Sequence, residues 1–126
     1  MPRIEVVFFR ETDESVPLLG WLNSLVGKAR ARCIVRLGRL STLGHELRRP
    51  ESDYLEDGIY ELRAIHAGIN YRMLYFFHGV TAIVVTHGFT KQRAALPSRE
   101  MHVALARKKK YETHPEGHTF RSEAQP

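Results

Sequence analysis

Between Gly58 and Lys91 the chain reads GIYELRAIHAGINYRMLYFFHGVTAIVVTHGFTK, three apolar runs with only short turn signals between them. The first, Ile59 to Ile65, alternates with a period of two. The second, Ile69 to Phe77, and the third, Val80 to His87, are almost continuously apolar or aromatic, the pattern of central strands covered on both faces. His78-Gly79 is a two-residue connector with glycine second, and Ala67-Gly68 is a candidate for another. Three strands this close together predict an antiparallel meander.

The register carries a functional expectation. With His78 and Gly79 as the loop, Phe77 faces Val80, Arg72 faces Val85 and Asn70 faces His87. Direct partners and residues two apart share a face, so Arg72 and His87 point the same way. With Ala67 and Gly68 as the other loop, Arg63 sits opposite Arg72, whereas a three-residue turn there would flip Arg63 to the other face. Like charges directly across a ladder are destabilising. A sheet accepts that cost most readily where an anion arrives to relieve it.

The 126 residues suffice for one domain with a core, and 43% hydrophobic content is that of soluble globular chains. No apolar segment is long enough for a membrane span. The start, MPRIEVVFFRETDE, has acidic residues directly after its short apolar run, unlike a signal peptide. Cys33 is the single cysteine, which excludes internal disulfides and cysteine zinc clusters. These features predict a cytoplasmic protein. The net charge is +5, unevenly spread. Lys28 to Arg49 carries seven bases and one acid, Lys91 to Lys110 seven bases and Glu100, and Glu51 to Glu61 five acids and no base. Basic stretches flanking a sheet point to a polyanion, RNA or DNA first. Solvated helix faces are the plain alternative.

Arg3 to Phe9 reads as a strand. Ser15-Val16-Pro17 reads as a helix start, with Ser15 as cap and Pro17 in the first turn. Leu18, Leu19, Leu22, Leu25 and Val26 form its apolar stripe, and Gly27 breaks or bends it. A second helix runs from Lys28 to about Leu43, with Ala29, Cys33, Leu37 and Leu40 inward, Arg30, Arg32, Arg36 and Arg39 outward, and Gly44 as stop. His45 to Asp57 reads as a polar loop, Gly88 to Leu96 as a connector, and Pro97 to about Tyr111 as a last helix with Met101, Ala104 and Leu105 on its apolar stripe. The expectation is an α+β protein in which a helical hairpin packs on the meander. Residues 1–111 form its domain, and residues 112–126 form a polar, frayed tail. His114 and His118 lie in that tail beside Pro115 and Gly117, where no helix aligns them for a metal, and no metal or other cofactor is expected.

LEDGIYELR, NYRMLYFF, THGFTKQ, LPSRE and ALARKKKY, in that order, resemble the HigB/RelE group of toxins from bacterial type II toxin–antitoxin modules, in particular the phage-derived, host-growth-inhibiting branch. The resemblance covers roughly Arg3 to Tyr111 and implies a RelE-like fold. It also implies a small endoribonuclease that cuts mRNA on the ribosome, held inactive by a cognate antitoxin, often a helix-turn-helix protein. Arg63 and Arg72 match the group's basic strand positions, and His87 and Lys91 those at the end of the last strand. Gln92 stands where the group often has a second lysine.

RNA can be cut without a metal when its own 2′-hydroxyl attacks the adjacent phosphate. The 2′-OH must lose a proton, the phosphorane must be neutralised, and the departing 5′-oxygen must gain a proton. Arginine, with a pKa above ~12, serves only the second task. Arg63 and Arg72 are therefore candidate charge stabilisers. His87, with an ordinary pKa of about 6.5, is the natural proton carrier, and Lys91, crowded by cations, is a second candidate. Tyr75, Phe89 and Tyr111 are candidate stacking rings, and Gln92, Arg93, Arg99 and Arg107 candidate RNA contacts. Each has a structural alternative. Arg63 can pair with Glu61 or the acidic Glu51–Asp57 stretch, His87 can be a hydrogen-bonded strand-end histidine, and Lys91 can be exposed loop. Tyr75 can be core, and Arg107–Lys110 a solvated helix end favoured by the helix dipole. Two other functions fit the same features: a toxin of this fold that blocks a protein such as DNA gyrase, and a plain RNA-binding module.

Overall fold

The computed structural model describes residues 4–91 and 97–121. Its elements are β1 (Glu5–Phe9), α1 (Pro17–Ser24), α2 (Gly27–Leu43), a 3-10 turn (Gly44–Glu46), β2 (Ser52–Glu56), β3 (Ile59–His66), β4 (Ile69–His78), β5 (Ala82–Lys91), α3 (Ser98–Thr113), a second 3-10 turn (Glu116–His118) and β6 (Thr119–Phe120). The strands form one sheet in the order β2-β3-β4-β5-β1-β6. β2 to β5 are antiparallel, β1 runs parallel to β5, and β6 is antiparallel to β1. This is the expected α+β architecture, consistent with a RelE-like fold. No helix among the described residues is long and apolar enough to cross a membrane.

Helices cover both faces of the sheet. Leu18 and Leu22 of α1 and Ala29, Cys33, Leu37 and Leu40 of α2 are buried against Leu62, Ala64, Met73, Tyr75, Ile83 and Val85. Met101, Ala104 and Tyr111 of α3 are buried on the other face against Ile59, Leu74, Phe76, Val84 and Phe89. Along Met73–Phe76 both faces of β4 are therefore covered by apolar packing, as its almost continuous hydrophobic run requires. Gly44 ends α2 at φ 53°, its N–H bonded to Leu40 O. Gly88 lets α1 approach: a Cβ there would lie 2.2 Å from Trp21 Cε3.

Several local expectations are corrected. Ser15 does not cap α1; Val16 takes that place, and Ser15 bonds Asp13 instead. Gly27 does not bend a continuing helix, because α1 stops at Ser24 and Gly27 opens α2. The polar loop His45–Asp57 contains an edge strand, β2. It has no apolar run to mark it, and it is held by pairing to β3 and by ion pairs from Glu51 and Asp53. β5 extends to Lys91, so the first residues of the expected connector are strand. The described part of the tail is ordered. Glu112 and Thr113 complete α3, and β6 pairs Phe8 with Phe120 and Phe9 with Thr119. His118 also stacks on Phe9 with ring centroids 5.0 Å apart.

The meander's first turn is as read. Ala67 and Gly68 have φ 51° and 77°, the two positive values of a type I′ hairpin, and Arg63 pairs with Arg72. The second differs. His78 pairs with Ala82, so Gly79, Val80 and Thr81 form a three-residue turn, and Phe77 faces Ile83. A β-bulge then intervenes: Tyr75 pairs with Val85 but Leu74 with His87, leaving Thr86 as the extra residue. Arg72 consequently faces Phe89, and Asn70 faces Lys91.

Overpacking beneath Trp21 yields a stability prediction. Gly88→Ala should lower the unfolding free energy by about 1–3 kcal/mol in urea titrations. A variant as stable as the parent would contradict the close packing of α1 on β5.

Candidate functional site

Counting in twos from the paired positions puts Glu61 and Arg63 of β3, Arg72 and Leu74 of β4, and His87, Phe89 and Lys91 of β5 on one face, the face beneath α3. All four residues expected to do chemistry thus share one side of the sheet. Three of them meet at a residue the sequence reading treated only as a pairing partner. Glu61 is buried, with 1% of its surface exposed. Its Oε1 lies 3.0 Å from Arg63 Nε, 2.6 Å from Arg72 Nε and 3.9 Å from Lys91 Nζ. Arg72 Nε is close to that oxygen without the alignment of a hydrogen bond, so the contact is chiefly charge on charge. Buried carboxylates persist only when paired, and here three cations serve one.

The Arg63–Arg72 pairing is therefore relieved by the protein's own anion. Glu61, one pleat along β3, sits between the two guanidinium groups. Arg63 also reaches Asp53 Oδ2 at 3.1 Å, and Asp53 is bonded to Arg49 as well. The hydrogen bond from Arg49 is the main reason the Asp53 carboxyl titrates below its ordinary value. Burial pulls the Arg72 pKa down, Glu61 pulls it back up, and Arg63 adds a further downward push. Arg63 is the most accessible of the three cations, its side chain 27% exposed against 11% for Arg72 and 12% for Lys91.

His87 is engaged at both ring nitrogens. Nε2 lies 2.9 Å from Glu100 Oε1 on α3, and Nδ1 lies 2.9 Å from Thr86 Oγ1. Thr86 Oγ1 is also 3.3 Å from Leu74 O. The hydroxyl suits either charge state of the ring. It donates to Nδ1 when the imidazole is neutral, and accepts from Nδ1–H while donating to Leu74 O when the ring is protonated. Burial lowers the His87 pKa, Glu100 opposes that through its hydrogen bond, and the charge of Arg107 adds to the lowering. Arg107 Nη1 donates to Thr86 O at 3.4 Å and its Nε donates to Glu11 at 3.2 Å, so this arginine ties α3 to the bulge.

The expected RNA contacts fare unevenly. Tyr75 is 1% exposed on the opposite face, its hydroxyl bonded to Ser52, and burial pushes its pKa up to about 12. Tyr111 is buried against Phe76 and hydrogen-bonded by Thr119. Phe89 is buried beneath α3. Three rings read as stacking platforms are thus core: Tyr75 and Phe89 occupy covered faces of the sheet, and Tyr111 lies on the face of α3 that packs against it. Arg107 is bound to Glu11 and to the bulge. Arg99 is 86% exposed at the start of α3, and Gln92 and Arg93 lie outside the described residues. Among the described residues no group of three or more metal-ligating side chains occurs. Glu61, expected only as a pairing partner for Arg63, and Glu100 were not among the expected site residues. The signal for Glu61 was its place two residues before Arg63, on the same strand face; Glu100 had none, since its helix could not be docked from sequence.

A strand, a helical hairpin, a meander with clustered cations and a closing helix define the class: an α+β protein of RelE-like arrangement. The family follows from the match to the model of phage-derived Gp49-like proteins (DUF891) over residues 20–109. The chain belongs to that family, which is associated with the toxins of toxin–antitoxin modules and so implies an antitoxin partner. No curated protein matches the chain. The matched span includes Glu61, Arg63, Arg72, His87, Lys91 and Glu100.

The lowered His87 pKa has a sign that can be measured. The unfolded chain takes up this proton at about pH 6.5, before the folded one does. His87's contribution to stability is therefore complete above that value and is lost as pH falls towards the folded pKa. Urea midpoints at about pH 7.5 and 5.5 should drop for the parent and drop less for His87→Gln. Equal drops would contradict the burial of a neutral imidazole.

Proposed function

We propose that this chain is the toxin of a type II toxin–antitoxin module of the HigB/RelE kind, a metal-independent endoribonuclease that cuts mRNA on the ribosome and so stops translation. One observation carries the reading: cations from three adjacent strands converge on a single carboxylate oxygen, beside a histidine–carboxylate pair on the same face. A toxin that blocks a protein target needs no such convergence, and neither does an RNA-binding module.

In the reaction the 2′-oxygen forms a bond to phosphorus as the bond to the 5′-oxygen breaks. One proton leaves the 2′-hydroxyl and one reaches the 5′-oxygen. Arg63 and Arg72 neutralise the charge that builds on the phosphorane. Lys91 adds a third positive charge at the strand end. The His87–Glu100 pair is the proton carrier: Glu100 is the more open of the two, and Thr86 lets the ring gain or lose a proton without stranding a polar atom. The antitoxin is of helix-turn-helix type, and the site of action is the cytoplasm, where translating ribosomes are.

Expression in bacteria should arrest growth with messages cut inside codons. Arg63→Ala should slow cleavage by roughly 100- to 1000-fold, the effect of deleting one stabiliser of transition-state charge. Mapping of message ends and growth curves check both. Arrested growth with intact messages would overturn the nuclease reading.

A further inference from the structure

We propose that Glu61 is a positioning residue that holds the place of the RNA phosphate: its carboxylate gathers Arg63, Arg72 and Lys91, weakens ground-state binding and raises turnover. The inference rests on the endoribonuclease reading above. At 1% exposure Glu61 is too deep to take a proton from the message itself. It acts through the cations that surround it.

The charges alternate across three strands. Asp53 and Glu61 face each other across β2 and β3, and Arg63 and Arg72 face each other across β3 and β4. The two like pairs are offset by one pleat, so each relieves the other, and Arg63 bonds both carboxylates. Arg63, Arg72 and Lys91 are long side chains from separate strands, yet all address Oε1 of one residue. Without that oxygen three cations would repel one another and spread apart. With it they are gathered before substrate arrives.

A message phosphate entering this space shares the cations with Glu61, so the substrate is held less tightly than three free cations would hold it. The phosphorane carries one more negative charge and gains more from the same groups. Interactions stronger in the transition state than in the ground state are those that raise turnover. Removing the Glu61 charge should therefore move binding and cleavage in opposite directions, a result that a merely structural acid would not give.

The test compares the parent, Glu61→Gln and Glu61→Asp on bacterial ribosomes carrying message. Cleavage is read as a single-turnover rate on unmodified RNA. Binding is read on message 2′-O-methylated at every ribose, which removes the nucleophile, and folding is checked by circular dichroism. Glu61→Gln should bind about 3- to 10-fold tighter with a steeper salt dependence. It should cleave roughly 10- to 100-fold slower, the scale of a misplacement near 1 Å. Glu61→Asp keeps the charge but withdraws it by one methylene. It should bind like the parent and cleave at a rate between the two. A folded Glu61→Gln that cleaves at the parent rate, or that loses binding and cleavage together, overturns the inference. If Glu61→Gln does not fold, parent-like cleavage by Glu61→Asp overturns it. A parent chain that cuts no message overturns the nuclease reading itself, and this inference with it.

Discussion

One extra residue in β5 decides which side chains meet. From His78–Ala82 down to Tyr75–Val85 the β4–β5 ladder is regular, and continued unchanged it would set Arg72 opposite Gly88. Gly88 and Thr86 would then share the face of Arg72, while His87, Phe89 and Lys91 would point under α1. The bulge at Thr86 reverses this, because a shift of one residue flips every later side chain. It also turns Gly88 towards Trp21, where only a glycine leaves room. A bulge strands backbone groups, and here they are supplied. Arg107 donates to Thr86 O, and the Thr86 hydroxyl lies within reach of Leu74 O and His87 Nδ1.

Electrostatics then builds on that geometry. Arg63 opposite Arg72 is unfavourable in isolation, and so is Asp53 opposite Glu61. Offset by one pleat, the two pairs become a network in which each charge has an opposite neighbour. Glu61 is the centre because it is the most buried member, and removing one partner from a buried pair costs about 3–5 kcal/mol. α3 closes the arrangement from above. Glu100 reaches His87, and Arg107 reaches the bulge and Glu11. The same helix covers Phe89 and packs its own Tyr111 against Phe76, which is why those rings serve the core.

Much of the meander was legible in the sequence. Ala67-Gly68 marked a true two-residue turn, so Arg63 facing Arg72 was readable from spacing alone. The inward set of α2 was readable too, since Ala29, Cys33, Leu37 and Leu40 keep helical spacing. The shared face of Arg72 and His87 was inferred from a wrong register. The three-residue turn displaces the pairing by three places and the bulge by one more, and an even total of four leaves the alternation unchanged. Neither event has a local signal, because Thr86 is a β-branched residue in an apolar run and reads as ordinary strand. β2 was illegible for a related reason: its residues are mostly polar, and its order comes from the β3 edge and from ion pairs made after folding. Glu100 belongs to the same group, since its role depends on how α3 docks.

The claim on which the site depends is the register of β4 against β5, and nuclear Overhauser contacts between backbone protons measure it directly. The account predicts cross-strand contacts pairing Arg72 with Phe89 and Leu74 with His87, alongside Tyr75 with Val85. Contacts pairing Arg72 with Gly88 and Leu74 with Thr86 would mean that no bulge exists. His87 and Lys91 would then lie on the face away from Arg72, and the gathered cations described here would be wrong.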